Sequence, residues 1–225
     1  MKILIVGANS AIAENILNHH EYENDEFFLI SKSHIPQKQQ IISGKAKINF
    51  NSKTGLHRLK KIINHFSPEV IIVSMVNYFD DDYVINNKHL DDIYQVNYKS
   101  IVDIISNNQN PPTISTIVVF GTISSVIGKK YNVHYASLKR ALDSYIESVH
   151  ASNLNFNVQY YKLGYLDTKA NSEIRFLKAN LNKLAAVIRK NILCKKNLFI
   201  FYPIYWKILV ILIKIIPKKI LLRFI

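Results

Sequence analysis

Short apolar runs alternate with stretches of helical periodicity along most of this chain, and few folds accept that pattern. Lys2–Val6 is a buried-strand run that stops at Gly7, and Ser10 is placed to cap a helix from Ala11 to about His20. Phe27–Ile30 reads as a second strand and Ala46–Phe50 as a short third. Leu56, Leu59, Ile62, Ile63 and Phe66 form one stripe on a helix over Gly55–Phe66, which Pro68 ends. Val70–Val73 is a fourth strand and Leu90–Ile105 a helix. Ile114–Phe120, rich in β-branched residues, is a fifth strand, His134–Ser152 a long helix and Asn157–Tyr161 a sixth strand. Such alternation predicts an α/β fold: a doubly wound parallel sheet with helices on both faces. Ligands on these sheets sit beyond the carboxyl ends of the strands, where Gly7, Ser31, Ser74, Ser125 and Gly164 fall.

The 225 residues, 48% of them hydrophobic, suit one domain with an appendage. A single cysteine, Cys194, excludes a disulfide framework and a Cys-based zinc site, fits a reducing compartment, and is expected as a small buried hydrophobe. The eight histidines show no metal-ligand spacing. Asp80-Asp81-Asp82 and Asp91-Asp92 read as a solvated face, so no metal is assigned. Ile3–Val6 is too short for a signal peptide. The net charge of +13 points to nucleic acid until its distribution is read. Residues 1–173 carry 17 basic and 16 acidic side chains, whereas the remainder carries twelve basic ones and no acid. The excess therefore belongs to the last fifty or so residues, the most apolar part of the chain, and no nucleic-acid partner is expected.

Three motifs carry chemistry. Tyr135 and Lys139 are four apart and share one helix face, and a Lys ammonium beside a phenol favours the phenolate. With Ser124-Ser125 upstream to hold an oxygen, this is equipment for moving a proton on or off a carbonyl or alcohol. Gly7-Ala8-Asn9-Ser10-Ala11-Ile12-Ala13 follows the first strand directly and offers a tight turn and a helix N-terminus to a pyrophosphate. Ile30-Ser31-Lys32-Ser33 closes the second strand without an acid. A hydroxyl, an ammonium and a second hydroxyl suit a 2′-phosphate, so NADP(H) is favoured over NAD(H).

In this order the motifs resemble the short-chain dehydrogenase/reductase family, over roughly residues 1–170. Gly7–Ala13 is similar to its glycine-rich loop, with alanine at two of the glycine places. Asn49 lies where the family usually has an Asp near the adenine, and Ser74-Met75-Val76-Asn77 replaces its Asn-Asn-Ala-Gly. Asn97 matches the helix Asn that supports a proton-relay water. Phe120–Gly128 resembles the strand and loop ending in the catalytic Ser, which becomes Ser125, although its distance to Tyr135 is slightly short. Leu163–Thr168 resembles the loop that holds the nicotinamide carboxamide. The resemblance implies a Rossmann-type fold with Ser125, Tyr135, Lys139 and Asn97 as catalytic residues. It implies a dinucleotide held by Gly7, Asn9, Ser10, Ala11, Ile12, Ser31, Lys32, Asn49, Phe50, Ser74, Met75, Val76, Gly164, Leu166 and Thr168, with Tyr135 and Lys139. In that scheme Tyr135 is the general acid toward a keto group, Ser125 holds the substrate oxygen and Lys139 binds the ribose.

Residues 1–196 are expected as the single domain and 197–225 as a basic, apolar, amphipathic helical tail. Pro217 interrupts any long helix, and Lys207, Lys214 and Lys218 share one helical face. The tail's longest uncharged run, Asn197–Trp206, is well short of the ~18 residues of a spanning helix. Tyr202, Tyr205 and Trp206 at the start suit a membrane interface, with the basic residues facing anionic headgroups. The tail resembles that of a bacterial subgroup acting on lipid-linked or surface-polysaccharide sugars, among them a polyprenyl-phosphate keto-ribose reductase. The expected protein is a cytoplasmic oxidoreductase, peripheral on the inner face of the membrane, acting on a sugar or lipid-linked sugar. Its rivals are a soluble sugar-nucleotide or small-carbonyl reductase whose tail forms a homo-oligomer, and a catalytically silent dinucleotide sensor or scaffold.

Overall fold

The structure, a computed structural model, describes residues 1–35, 41–52, 54–77, 89–107, 113–127, 132–168 and 177–221. The Asp80–Asp82 run and Gly128 lie outside the described residues. Seven strands form one parallel sheet: β1 (Lys2–Val6), β2 (Glu26–Ser31), β3 (Ile41–Lys47), β4 (Val70–Val73), β5 (Thr116–Thr122), β6 (Asn157–Leu163) and β7 (Leu198–Tyr202). Their order is β3-β2-β1-β4-β5-β6-β7, so the direction of winding reverses between β1 and β4.

The central strands read as unbroken apolar runs because both faces are covered. On one face Leu4, Val6, Ile71, Val73, Ile117 and Val119 meet α2 (Gly55–Phe66), α4 (Ser100–Asn107) and α5 (Val133–His150). On the other, Ile3, Ile5, Phe27, Leu29, Val118 and Phe120 meet α1 (Ala11–Asn18) and α6 (Leu181–Cys194). A buried clamp closes this second face. Asp25 accepts from the N-terminal ammonium at 2.8 Å and from Arg189 of α6 at 2.7 Å.

The structure corrects several expectations. The third strand is Ile41–Lys47, not Ala46–Phe50, and its residues alternate between exposed and half-buried. It is an edge strand with one neighbour, so its apolar signal is weak. Ile48 and Phe50, buried beyond its end, imitate a strand. The single helix expected over Leu90–Ile105 is α3 (Leu90–Tyr94), a π turn (Gln95–Lys99) and α4. The wider turn places Asn97 fully inside. The boundary drawn after residue 196 cuts into the sheet. Leu198–Tyr202 pairs with β6 from Gln159↔Leu198 to Leu163↔Tyr202. The helical tail begins later, with α7 (Tyr205–Ile215), and Lys218 belongs to a separate turn, α8 (Lys218–Leu221). Cys194, expected inside, is exposed at the end of α6.

Gly121 shows how closely β5 and β6 fit together. A Cβ built there would stand 1.8 Å from the hydroxyl of Tyr160. Tyr160 is fully buried and donates to Asp143 at 2.6 Å, so it cannot yield without breaking that bond. Gly121→Ala is expected to lower stability by about 2 kcal/mol through overpacking. A urea midpoint that falls with an unchanged slope would show it.

Candidate active site

The carboxyl edge of the sheet at the β1/β4 switch gathers most of the residues singled out from sequence. Gly7 leaves β1 with φ +96, a conformation that favours glycine, and its Cβ position lies 2.4 Å from the Met75 nitrogen. The amides of Gly7 and Ala8 both donate to the Ile30 carbonyl, at 2.8 and 2.9 Å. Ser10 caps α1 by accepting from the Ala13 amide at 3.1 Å, while Ala11 is exposed and Ile12 half-buried in the first turn. The Asn9 amide donates to the Ser33 hydroxyl at 3.5 Å, tying this turn to the end of β2. There Ser31 is buried and Lys32 exposed. Asn49 is exposed and Phe50 buried in the loop after β3.

Two expected cofactor contacts face inward instead. Ser74 is buried and its hydroxyl lies 3.0 Å from the Gly7 carbonyl and 3.3 Å from that of Val6, so it clamps the first turn from below. Met75 is buried under Gly7, whereas Val76 is exposed. At the end of β6, the Gly164 amide donates to the Tyr202 carbonyl at 2.8 Å. Leu166 is buried and bridges to Ala179, and the Thr168 amide donates to the Leu166 carbonyl at 2.9 Å.

Helix α5 brings the residues expected to transfer a proton to the same edge. Tyr135, Lys139 and Asp143 recur every four residues, one stripe on its inner face. Tyr135 is half-buried. Lys139 is 3% exposed and its ammonium donates to the Phe120 carbonyl of β5 at 3.0 Å. Burial pushes its pKa down to about 8, against the opposing pull of Asp143. Asn97 fastens the segment after β4 to the π turn. Its side chain accepts from the Asn77 amide at 3.1 Å and donates to the Asn77 carbonyl at 2.5 Å.

Ser125 does not point where the sequence expects. It is 2% exposed, in a 3₁₀ turn (Ile123–Ser125) after β5. Its oxygen lies 2.6 Å from Asp143 Oδ2 and 2.7 Å from the Thr122 carbonyl, so its one proton is taken within the protein. The same Asp143 oxygen accepts from Lys162 at 2.6 Å, and its other oxygen from Tyr160 at 2.6 Å. Burial first, and Asp143 next, push the Tyr160 phenol well above its ordinary range. Sequence reasoning missed this group. Asp143 lies four residues after Lys139, which is a signal in itself, and Lys162 is a lysine inside an otherwise buried strand.

No protein family and no curated protein matches the chain by sequence. Solved structures match its fold. A 3-oxoacyl (acyl-carrier-protein) reductase from Agrobacterium tumefaciens with NADP bound has a TM-score of 0.75 at 14% identity, over 89% of this chain and 92% of its own. A short chain dehydrogenase family protein from Francisella tularensis gives 0.72 at 14%, over 89% and 96%. A short chain dehydrogenase from Burkholderia cenocepacia in complex with NADP gives 0.73 at 10%, over 89% and 86%. The chain has the fold of the short-chain dehydrogenases.

Lys139 also makes stability depend on pH. Its folded pKa of about 8 lies below the 10.5 of the unfolded side chain. Between these values the unfolded chain holds more protons, so this group's contribution rises with pH and is weakest below pH 8. Above pH 10 the buried phenols Tyr22, Tyr160 and Tyr161, whose pKa values are raised, act in the opposite sense. Between pH 8 and 10 the wild type is therefore expected to gain about 2 kcal/mol relative to Lys139→Met in denaturant titrations.

Proposed function

We propose that this chain is an NAD(P)-dependent oxidoreductase of the short-chain type, favouring NADP(H), that interconverts a keto group and an alcohol. The observation that carries the reading is the stripe on α5: Tyr135 half-buried at the sheet's carboxyl edge, and Lys139 buried and anchored on the β5 carbonyl of Phe120. The residues fit a phosphorylated dinucleotide. Gly7 makes the turn, the first turn of α1 offers its amides, and the end of β2 carries Ser31, Lys32 and Ser33 without a carboxylate. That two solved proteins of this fold hold NADP supports the choice.

The bound nicotinamide supplies or accepts the hydride. The protein does the rest. In the reducing direction Tyr135 gives its proton to the carbonyl oxygen as negative charge develops there. The Lys139 ammonium, anchored on the Phe120 carbonyl, would stabilise the phenolate left behind and bind the ribose of the dinucleotide. Asn97, with both polar ends of its side chain on Asn77, holds the wall of the site in place.

The tail supports a substrate class. Ile204, Ile208, Ile211, Leu212 and Ile215 form an exposed apolar stripe along α7, each more than half exposed, with Lys207 and Lys214 also exposed at its margin. Among the described residues no helix is long and apolar enough to cross a membrane. An apolar stripe edged by lysines suits the plane of an anionic bilayer. We infer a peripheral enzyme on the cytoplasmic membrane face, acting on a keto group of a sugar or lipid-linked sugar of envelope polysaccharide synthesis.

The chemistry is tested by NADPH oxidation with a panel of keto-sugars and 9,10-phenanthrenequinone. Tyr135→Phe is expected to lose at least about 100-fold in kcat/KM while NADPH binding, followed by its fluorescence, is retained. Tight NADPH binding with no turnover in the wild type would favour the silent sensor instead. The location is tested by sedimentation with vesicles. Wild type is expected to pellet with phosphatidylglycerol and not with phosphatidylcholine, and Ile208→Glu/Ile211→Glu to stay in solution. Dimerisation lost in that variant, without vesicle binding in the wild type, would assign the stripe to a subunit contact.

A further inference from the structure

We propose that Thr122, not Ser125, is the hydroxyl that holds the substrate oxygen beside Tyr135, and that Ser125 is a positioning residue. This rests on the oxidoreductase reading. A group that holds a carbonyl oxygen must have a proton to donate and must reach the ligand. Ser125 meets neither condition. It is 2% exposed, and its proton goes to Asp143 or to the Thr122 carbonyl, at 2.6 and 2.7 Å. Turning it outward would break a contact of a buried carboxylate that also holds Lys162 and Tyr160.

Thr122 meets both. It is the last residue of β5, at the edge where ligands of such sheets sit, and it is only partly buried. Its backbone is extended, φ −143 and ψ 149, and its oxygen accepts from the Ser124 amide at 3.2 Å. A hydroxyl fixed as an acceptor on one side keeps its proton for the other. Two residues earlier on the same strand, the Phe120 carbonyl receives the Lys139 ammonium. One strand end thus sets the lysine anchor and the threonine hydroxyl about 7 Å apart along the chain. Ser125 has a different part. Bonded to Asp143, it pins the 3₁₀ turn to α5, and the turn's amide in turn orients Thr122.

Five variants test this: Thr122→Val, Thr122→Ser, Ser124→Ala, Ser125→Ala and Tyr135→Phe. They are compared in NADPH oxidation with 9,10-phenanthrenequinone, in NADPH binding by fluorescence and in urea unfolding. Thr122→Val is expected to lose about 100-fold in kcat/KM, mostly in kcat, with NADPH binding unchanged. Thr122→Ser, which restores the hydroxyl, should stay within about fivefold of wild type, as should Ser124→Ala. Ser125→Ala should keep kcat within about tenfold below its unfolding transition but shift the folding equilibrium toward the unfolded chain by tenfold or more. Full activity in Thr122→Val, or a 100-fold loss confined to Ser124→Ala or Ser125→Ala, overturns the proposal. So does a Ser125→Ala chain as stable as wild type, a result that needs no turnover. A wild type without turnover, or a Tyr135→Phe variant as fast as wild type, overturns the oxidoreductase reading itself.

Discussion

One carboxylate fixes the geometry on which the site depends. Asp143 leaves the inner face of α5 and meets β6 through Tyr160 and Lys162, and the turn after β5 through Ser125. Both of its oxygens are engaged, so a charge 8% exposed is compensated by a cation and two hydroxyls. Removing a partner from such a buried pair generally costs about 3–5 kcal/mol, because a charge is left without compensation. The arrangement therefore holds helix and strands in one register. The same carboxylate acts on Lys139 one turn away, opposing the desolvation that lowers its pKa. The structural anchor and the electrostatics of the buried Lys139 are thus one object.

What could be read from the residues follows how each element is buried. β1, β4, β5 and β6 are covered on both faces, and their apolar runs announce them. β3 has one neighbour and alternates, so its Ser43, Gly44 and Lys45 hide it. β7 is half-buried throughout and adjoins the apolar helix α7, so Leu198–Tyr202 merges into a tail when charge alone marks the boundary. The site divides in the same way. Gly7, Tyr135 and Lys139 lie where a strand end or a helical period dictates direction. Ser125 lies in a 3₁₀ turn, where spacing along the chain says nothing about which way a side chain points. A difference of three residues from Thr122 turns a hydroxyl from the edge of the sheet toward Asp143.

The two sides of α7 have different partners. Trp206 and Val210 are buried, and the indole lies so close to the loop after β6 that a Cβ on Gly164 would stand 2.0 Å from its nitrogen. Tyr165 packs edge-on against the same indole at 5.5 Å, and the Tyr205 hydroxyl donates to the Leu177 carbonyl at 2.9 Å. The helix is therefore fastened to the segment that borders the proposed nicotinamide site, with its isoleucine stripe turned away.

The proposed preference between the two dinucleotides rests on what stands at the end of β2. A 2′-phosphate carries up to two negative charges, and a carboxylate at this strand end would repel it while hydrogen-bonding a free ribose. Here the strand ends in Ser31, whose buried hydroxyl accepts from the Ser33 amide at 3.3 Å, and Ser33 in turn receives Asn9. The loop is thus held by hydroxyl and amide groups, with Lys32 as an exposed cation beside it. Attraction to an exposed ammonium is screened at physiological salt, and by itself it separates the cofactors weakly. The larger effect is the missing acid: among the described residues of the strand end no carboxylate accepts from a ribose 2′-hydroxyl or opposes a phosphate. Placing Asp at position 32 would change both at once, because it removes the cation and supplies the acceptor that NAD(H) lacks here.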